Sequence, residues 1–307
     1  MKPRPVMDQA VFSTQTGRAA GFTPKQLRGP GTTRLFRGIY TTGSPDLAVR
    51  AQAALLASGP LACLCDCTSL NLAGVELPRR FASPTEPLHI HTPPELCGPQ
   101  RAGIRCHRTA TYMPADNVLG LPSLHLAECW LQLAARATVL ELVIVGDGLM
   151  RRPRPPHNQP FLVPPDVLKA AVAESHRRPG IRAARAAAAL VRPGTDSPME
   201  SVTRFHLVRA GLPEPRINYP VLDDTGWPIF FLDMAYPDKL IAVEYDGGIH
   251  VGDTRFMEKN IHRRRRLEDA GWRIITASAR DLPNDMADVI ASVRQALAAR
   301  TASVPAH

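Results

Sequence analysis

Apolar residues recur along this chain at helical and at strand spacings, and Gly and Pro separate the runs. Leu47, Ala48, Ala51, Ala54 and Leu55 stand at helical intervals and Gly59-Pro60 ends the run, which predicts a helix over residues 46–58. Leu126, Trp130, Leu131 and Leu133 give an apolar face to a helix over 124–137, and a mostly apolar run from Val139 to Val145 closes that region. Nearer the start, Thr14 to Ala20 reads as one short helix. Thr23-Pro24 starts another, with Thr as N-cap and Pro at the first position. Thr33 to Tyr40 reads as a strand with a turn in it. Leu88–His91 and Gly103–His107 are expected as short strands, and Cys67 to Ala73 as a short helix closed by Gly74.

Further on, Arg151-Arg152-Pro153-Arg154-Pro155-Pro156-His157 cannot be a regular helix, because Pro removes amide donors and holds its predecessor extended. Asp166–Glu174 and Ile181–Val191 are Ala- and Arg-rich helices joined by Arg178-Pro179-Gly180, with Arg182 and Arg185 on one side. Ser197-Pro198-Met199-Glu200 combines an N-cap Ser, Pro at the first helical position and Glu at the third, a capping box that announces a helix to Ala210. Arg216–Leu222, Trp227–Ala235 and Leu240–Asp246 then read as three strands. They are joined by turns at Asp223-Asp224-Thr225-Gly226 and Tyr236-Pro237-Asp238-Lys239.

The 307 residues suggest about two domains. The net charge of +9 is unevenly placed. Residues 1–196 carry 23 basic and 13 acidic side chains, whereas residues 197–307 carry 14 and 15. The basic part favours a polyanion such as DNA. No apolar stretch is long enough to cross a membrane and no signal-peptide core follows the basic start, so a cytoplasmic protein is expected. Cys63, Cys65 and Cys67 alternate as on one strand face. They lack the C-x-x-C spacing of zinc ligands, and reduced thiols used as small apolar residues are expected. His89 and His91 share a strand face that His107 can join. Neither strand carries a carboxylate, so half-exposed strand histidines are expected rather than a metal site.

Chemistry concentrates near the C-terminus. Glu244 and Asp246 point to one strand face, and a tight turn at Pro237-Asp238 would set Asp233 opposite Ala242, diagonal to Glu244. Three carboxylates on an apolar sheet repel one another, and a divalent cation removes that penalty. Oxygen ligands without thiolates favour Mg²⁺ or Mn²⁺. Glu200 is explained equally by capping and by a place beside these acids.

Glu200 on a helix, Asp233 on a strand and Glu244-Tyr245-Asp246-Gly247-Gly248-Ile249-His250 together resemble a PD-(D/E)XK nuclease domain. With Arg263-Arg264-Arg265-Arg266-Leu267-Glu268-Asp269-Ala270-Gly271-Trp272-Arg273-Ile274-Ile275, the series is most similar to the domain of unknown function related to the very-short-patch-repair mismatch endonuclease. The resemblance covers about a third of the chain. The helix, turn, helix and basic wing of residues 1–45 more loosely resemble the winged-helix region of AbiEi-like antitoxins.

These resemblances imply an α/β (α+β) chain. Its parts would be a winged-helix-like module (1–45), a mixed middle region (46–145), a basic helical linker (146–196), a restriction-endonuclease-like three-layer domain around a mixed sheet (197–300) and a tail (301–307). Asp233 and Glu244 would hold the metal with the Tyr245 carbonyl, and Glu200 would complete the shell. Asp246 stands where the family has a lysine, so the positive charge must come from elsewhere. His250 is the replacement for proton transfer, and Arg264 is the choice for phosphate contact. Lys25, Arg28, Arg34, Arg37, Arg151, Arg152 and Arg154 are the candidate DNA contacts. The function implied is a metal-dependent endodeoxyribonuclease whose first two thirds bind DNA. The alternative is a non-catalytic, antitoxin-type DNA-binding regulator with a degenerate nuclease fold, and a cognate toxin or antitoxin is a possible partner.

Overall fold

Local capping chemistry starts the helices where the sequence announces them. Thr23 accepts the Gln26 N–H at 3.2 Å while the Gln26 side chain accepts the Thr23 N–H at 2.9 Å. Asp46 accepts the Val49 N–H at 2.8 Å. The computed structural model describes residues 11–43, 45–93, 101–108, 116–151, 161–247 and 254–301, without the side chains of 254–260 and 301. The chain divides into two units, Met1–Val145 with Asp166–Ala186, and Gly146–Pro165 with Ala187–His307. Residues 146–196, expected as a linker, are therefore shared between the units. Among the described residues no helix is long and apolar enough to cross a membrane.

The first unit opens with β1 (Val11–Ser13), α1 (Thr14–Ala19), α2 (Pro24–Leu27), β2 (Thr33–Phe36) and β3 (Ile39–Thr41), and its small sheet runs β1-β3-β2. Phe12, Phe22 and Leu27 pack together there, with Tyr40 against them. Next come α3 (Leu47–Ser58), β4 (Cys63–Leu64), α4 (Asp66–Leu72), β5 (Leu88–His91), β6 (Ile104–His107), β7 (Asp116–Val118) and β8 (Leu121–Ser123). The five strands form one mixed sheet in the order β6-β5-β4-β8-β7. α5 (Leu126–Leu133) follows, and the apolar run after it becomes helix α6 (Val139–Leu149), where Leu142, Val143 and Val145 are buried; from Gly146 this helix counts with the second unit. α7 (Pro165–Glu174) and α8 (Ile181–Leu190), which from Ala187 also counts with the second unit, are joined by a turn in which Arg178 grips Glu128 with two hydrogen bonds, 2.9 and 2.7 Å. Gly180 in that turn has φ +78°, and a Cβ there would lie 2.0 Å from the Ala134 carbonyl oxygen, so only Gly fits.

Two expectations for this unit are corrected. Cys63, Cys65 and Cys67 do not line a strand face. β4 stops at Leu64, Asp66 takes a left-handed φ of 50°, and Cys67 belongs to α4. His89 and His91 are fully buried rather than half-exposed, and Asp66 and Glu86 reach His89 from outside the two strands.

The second unit has α9 (Pro198–Arg209), β9 (Arg216–Leu222), β10 (Pro228–Tyr236), β11 (Ile241–Asp246), α10 (Thr254–Asp269), β12 (Arg273–Ser278) and α11 (Ala287–Thr301). β9, β10 and β11 form an antiparallel meander, and β12 pairs parallel to β11 after α10, giving a mixed sheet in the order β12-β11-β10-β9. Leu232, Ala235, Ala242, Leu267 and Trp272 share a core, so Trp272 is a packing residue. The β10–β11 register differs by two residues from the expected one: Ala235, not Asp233, faces Ala242. The cause is the connection, a 3-10 turn over Pro237–Lys239 followed by Leu240 in the left-handed region. An even shift keeps every side chain on its face. The ladder ends at Met234–Val243, next to Asp233 on β10 and Glu244 on β11.

Buried Arg204 ties α9 down. It donates to Asp147 at 3.0 Å, to the Leu190 carbonyl at 2.7 Å and to Glu214 at 2.9 Å. Arg204→Ala would leave the Asp147 carboxylate buried without its cation, an expected loss of about 3–5 kcal/mol in urea unfolding. A loss below about 1 kcal/mol would show that the network carries little of the fold.

Candidate active site

The N-terminus of α9 holds Glu200 by short-range chemistry. The Ser197 hydroxyl oxygen accepts the Glu200 N–H at 3.2 Å, and the hydroxyl donates to one Glu200 carboxyl oxygen at 2.9 Å. The other oxygen accepts the Asp196 N–H at 2.8 Å, one residue before the cap rather than at it. Both carboxyl oxygens thus have donors, yet Glu200 is only 7% exposed. Burial, and after it the negative charge of Asp233, push its carboxyl up to about 7.

Asp233 on β10 accepts the backbone N–H of Tyr245 on β11 at 2.9 Å. That bond ties the end of β10 to the strand that carries Glu244. Glu244 is gripped through both oxygens by the guanidinium of Arg263 from α10, one of the two bonds measuring 2.9 Å. Arg263 also donates to the Phe231 carbonyl at 2.8 Å, and its guanidinium lies 5.8 Å from the centre of the Phe230 ring. Asp246 is exposed at the end of β11, in register with Ser278.

The arginine expected at this site was Arg264, but in the structure Arg264 is exposed and pairs with Glu268 at 3.0 Å, one turn along its own helix. Arg263 is the member of the four-arginine run that reaches the acids. His250 lies outside the described residues. Asp233 is the link between the acids: its charge acts on Glu200, and its bond to Tyr245 ties β10 to the strand that carries Glu244. Glu200, Asp233 and Glu244 do not bring three side-chain ligand atoms within 4.8 Å of one another. Among the described residues Asp66, Cys67 and His89 of the first unit do.

The expected DNA contacts fare unevenly. Lys25, Arg28, Arg34 and Arg37 are exposed on α2, the β2 strand and the turn after it. Arg151 is half-buried, and Arg152 and Arg154 lie outside the described residues. A cleft of about 770 Å³ is lined by Arg34, Phe36, Arg37 and Arg101. Arg101, which nothing in its local sequence singled out, donates to the Arg37 carbonyl at 3.2 Å.

No family model matches this chain, and no solved structure matches it. It is similar to two Mycobacterium tuberculosis proteins whose names give no function, "Uncharacterized protein MT2308" of the Oshkosh strain and "Uncharacterized protein Rv2248" of strain H37Rv. Each is 26% identical over 283 residues, covering 89% of this chain and 94% of the relative.

The Glu200 carboxyl makes stability depend on pH. Below pH 4.5 it is protonated in both folded and unfolded chains; between 4.5 and about 7 only the unfolded chain ionises it, so stability falls as pH rises through that window. Glu200→Gln should remove roughly 2–3 kcal/mol of that fall, read by urea unfolding at about pH 5 and about pH 8. Parallel pH profiles for the two chains would contradict the raised carboxyl.

Proposed function

We propose that the second unit hydrolyses DNA phosphodiester bonds with a divalent cation, Mg²⁺ or Mn²⁺, held by Asp233 and Glu244, and that the first unit binds DNA. One observation carries the reading: the Glu200 carboxyl is buried, only 7% exposed, and burial first, with the charge of Asp233 after it, pushes it up to about 7. A cation would relieve the second of these. The donors are all oxygens, which fits a hard ion. The order helix, antiparallel meander, helix, parallel strand supports the restriction-endonuclease-like reading of residues 197–300.

Under this reading Asp233 and Glu244 bind the ion and Glu200 completes the shell when it ionises. A divalent ion held by these residues would supply Lewis-acid chemistry at a phosphate oxygen. Arg263 supplies the positive charge that the family draws from lysine, since its planar guanidinium suits a phosphate as well as a carboxylate. His250 moves the proton. Arg34, Arg37 and Arg101, around the cleft of the first unit, offer the DNA backbone a salt-sensitive contact.

A second reading, a non-catalytic DNA-binding regulator, draws on a specific observation: both oxygens of Glu244 are already taken by Arg263. Nicking of supercoiled plasmid by the purified chain separates the two. The nuclease reading expects cleavage that requires Mg²⁺ or Mn²⁺ and falls by roughly 100-fold or more in Asp233→Ala and Glu244→Ala. Equal cleavage by both variants and the parent would sink it as contamination. DNA binding without cleavage at any metal concentration would establish the regulator.

A further inference from the structure

The first unit contains a second polar nest, formed by α4, β5 and the segment after α5, that the nuclease reading does not use. Asp66 and His89 are 1% and 0% exposed, and Glu86 closes the nest at 19%. Ligand atoms of Asp66, Cys67 and His89 all lie within 4.8 Å of one another. Cys67 and Glu86 also line a cavity of about 260 Å³. At the centre stands one nitrogen of Arg136, 2.7 Å from Asp66, 3.1 Å from the Cys67 Sγ and 3.3 Å from His89 Nε2. Its other terminal nitrogen is 2.6 Å from Glu86. Sulfur, imidazole and one carboxylate thus surround a single cationic nitrogen, and the second carboxylate holds its neighbour.

That cation fits the nest imperfectly, for two reasons. His89 Nε2 faces both an acceptor, Glu86 at 3.1 Å, and a donor, Arg136 at 3.3 Å. If Nε2 carries hydrogen it opposes the guanidinium; if it does not, it opposes the carboxylate. No protonation state of His89 satisfies both contacts. Charge is the second mismatch. Two carboxylates face one guanidinium, and a protonated His89, which would balance them, sets an Nε2–H against that same guanidinium.

We infer that this nest is a binding site for a borderline divalent transition metal of the Zn²⁺ class, with Cys67 Sγ, His89 Nε2, Asp66 and Glu86 as ligands. Binding breaks the Cys67 S–H bond, sends its proton to solvent and forms a sulfur–metal bond. Three negative ligands then meet the 2+ ion and the single charge of Arg136, and the sum is zero. Arg136 moves to an outer position on the carboxylates, and its guanidinium already leans on the Phe81 ring at 4.7 Å. His89 Nε2 gains a ligand bond in place of two conflicting contacts. Its Nδ1 lies 2.8 Å from His107 Nε2, the kind of outer partner that fixes the tautomer of a metal-bound histidine. Thiolate and imidazole select Zn²⁺ over the hard ions expected in the second unit.

The whole chain, stripped with a chelator, should be titrated with Co²⁺ as a spectroscopic stand-in and then with Zn²⁺ in competition. The inference expects one thiolate-bound Co²⁺ per chain, seen as sulfur-to-cobalt charge-transfer absorption that Zn²⁺ abolishes. Co²⁺ bound by the carboxylates of the second unit would lack that band, so the result does not depend on whether the chain cleaves DNA. Cys67→Ser should lose the band with its far-ultraviolet circular dichroism unchanged. Glu86→Gln, at the rim of the nest, should keep the band and weaken Co²⁺ binding by roughly tenfold or more. The absence of the band in the parent chain, its full retention in Cys67→Ser, or unchanged affinity in Glu86→Gln would each overturn the site.

Discussion

A carboxylate taken out of water must meet positive charge or keep its proton, and much of this protein is arranged around that demand. The penalty for burying such an ion is several kcal/mol even after the protein relaxes. Among the described residues arginine answers it repeatedly. Arg204 meets Asp147 inside the second unit, Arg136 meets Asp66 and Glu86 inside the first, and Arg263 meets Glu244 on β11, an inner strand of the C-terminal sheet. The planar fork of the guanidinium lets one side chain hold two or three acceptors at once. Arg204 uses it to join Asp147, Glu214 and a backbone carbonyl, and this fixes where α9 lies within its unit.

Glu200 follows the other course. The groups that hold it are the Ser197 hydroxyl and the Asp196 N–H, neither of them a cation. With Asp233 close by, the cheaper solution is a retained proton. The proton is retained first because the carboxyl is buried and only then because of Asp233, and under the proposed function a divalent ion would relieve the second of these. The same logic gives Arg263 its double character. In this structure it pairs with Glu244, and under the proposed function its charge would turn to a phosphate.

How much of this was legible in the sequence depended on how local the cause was. The Ser197-Pro198-Glu200 start of α9 and the Thr23-Pro24 start of α2 were readable because a cap is decided within four residues. The meander of residues 216–246 was readable from alternation and turn residues. Its register was not, since it rests on Leu240 adopting a left-handed conformation that its side chain does not advertise. The hairpin of β7 and β8 was missed for a similar reason: Leu119 sits at φ 52° and Pro122 interrupts the strand pattern. A run of four arginines has no internal phase, so choosing Arg264 over Arg263 could not be checked before α10 was placed. The nest around His89 was least visible, because its acids come from α4 and from the loop before β5, and Arg136 from beyond α5. Counting carboxylates within the strands could not find partners that tertiary packing brings in.

The central claim is that a divalent cation relieves the acidic face of the second unit. Carbon-13 NMR of the Glu200 carboxyl, assigned by its loss in Glu200→Gln and followed through a pH titration with and without Mg²⁺, tests it most directly. The account predicts a midpoint near 7 without the ion and a midpoint below the ordinary 4.5 when Mg²⁺ is bound. A midpoint that stays near 7 at saturating Mg²⁺ would contradict it.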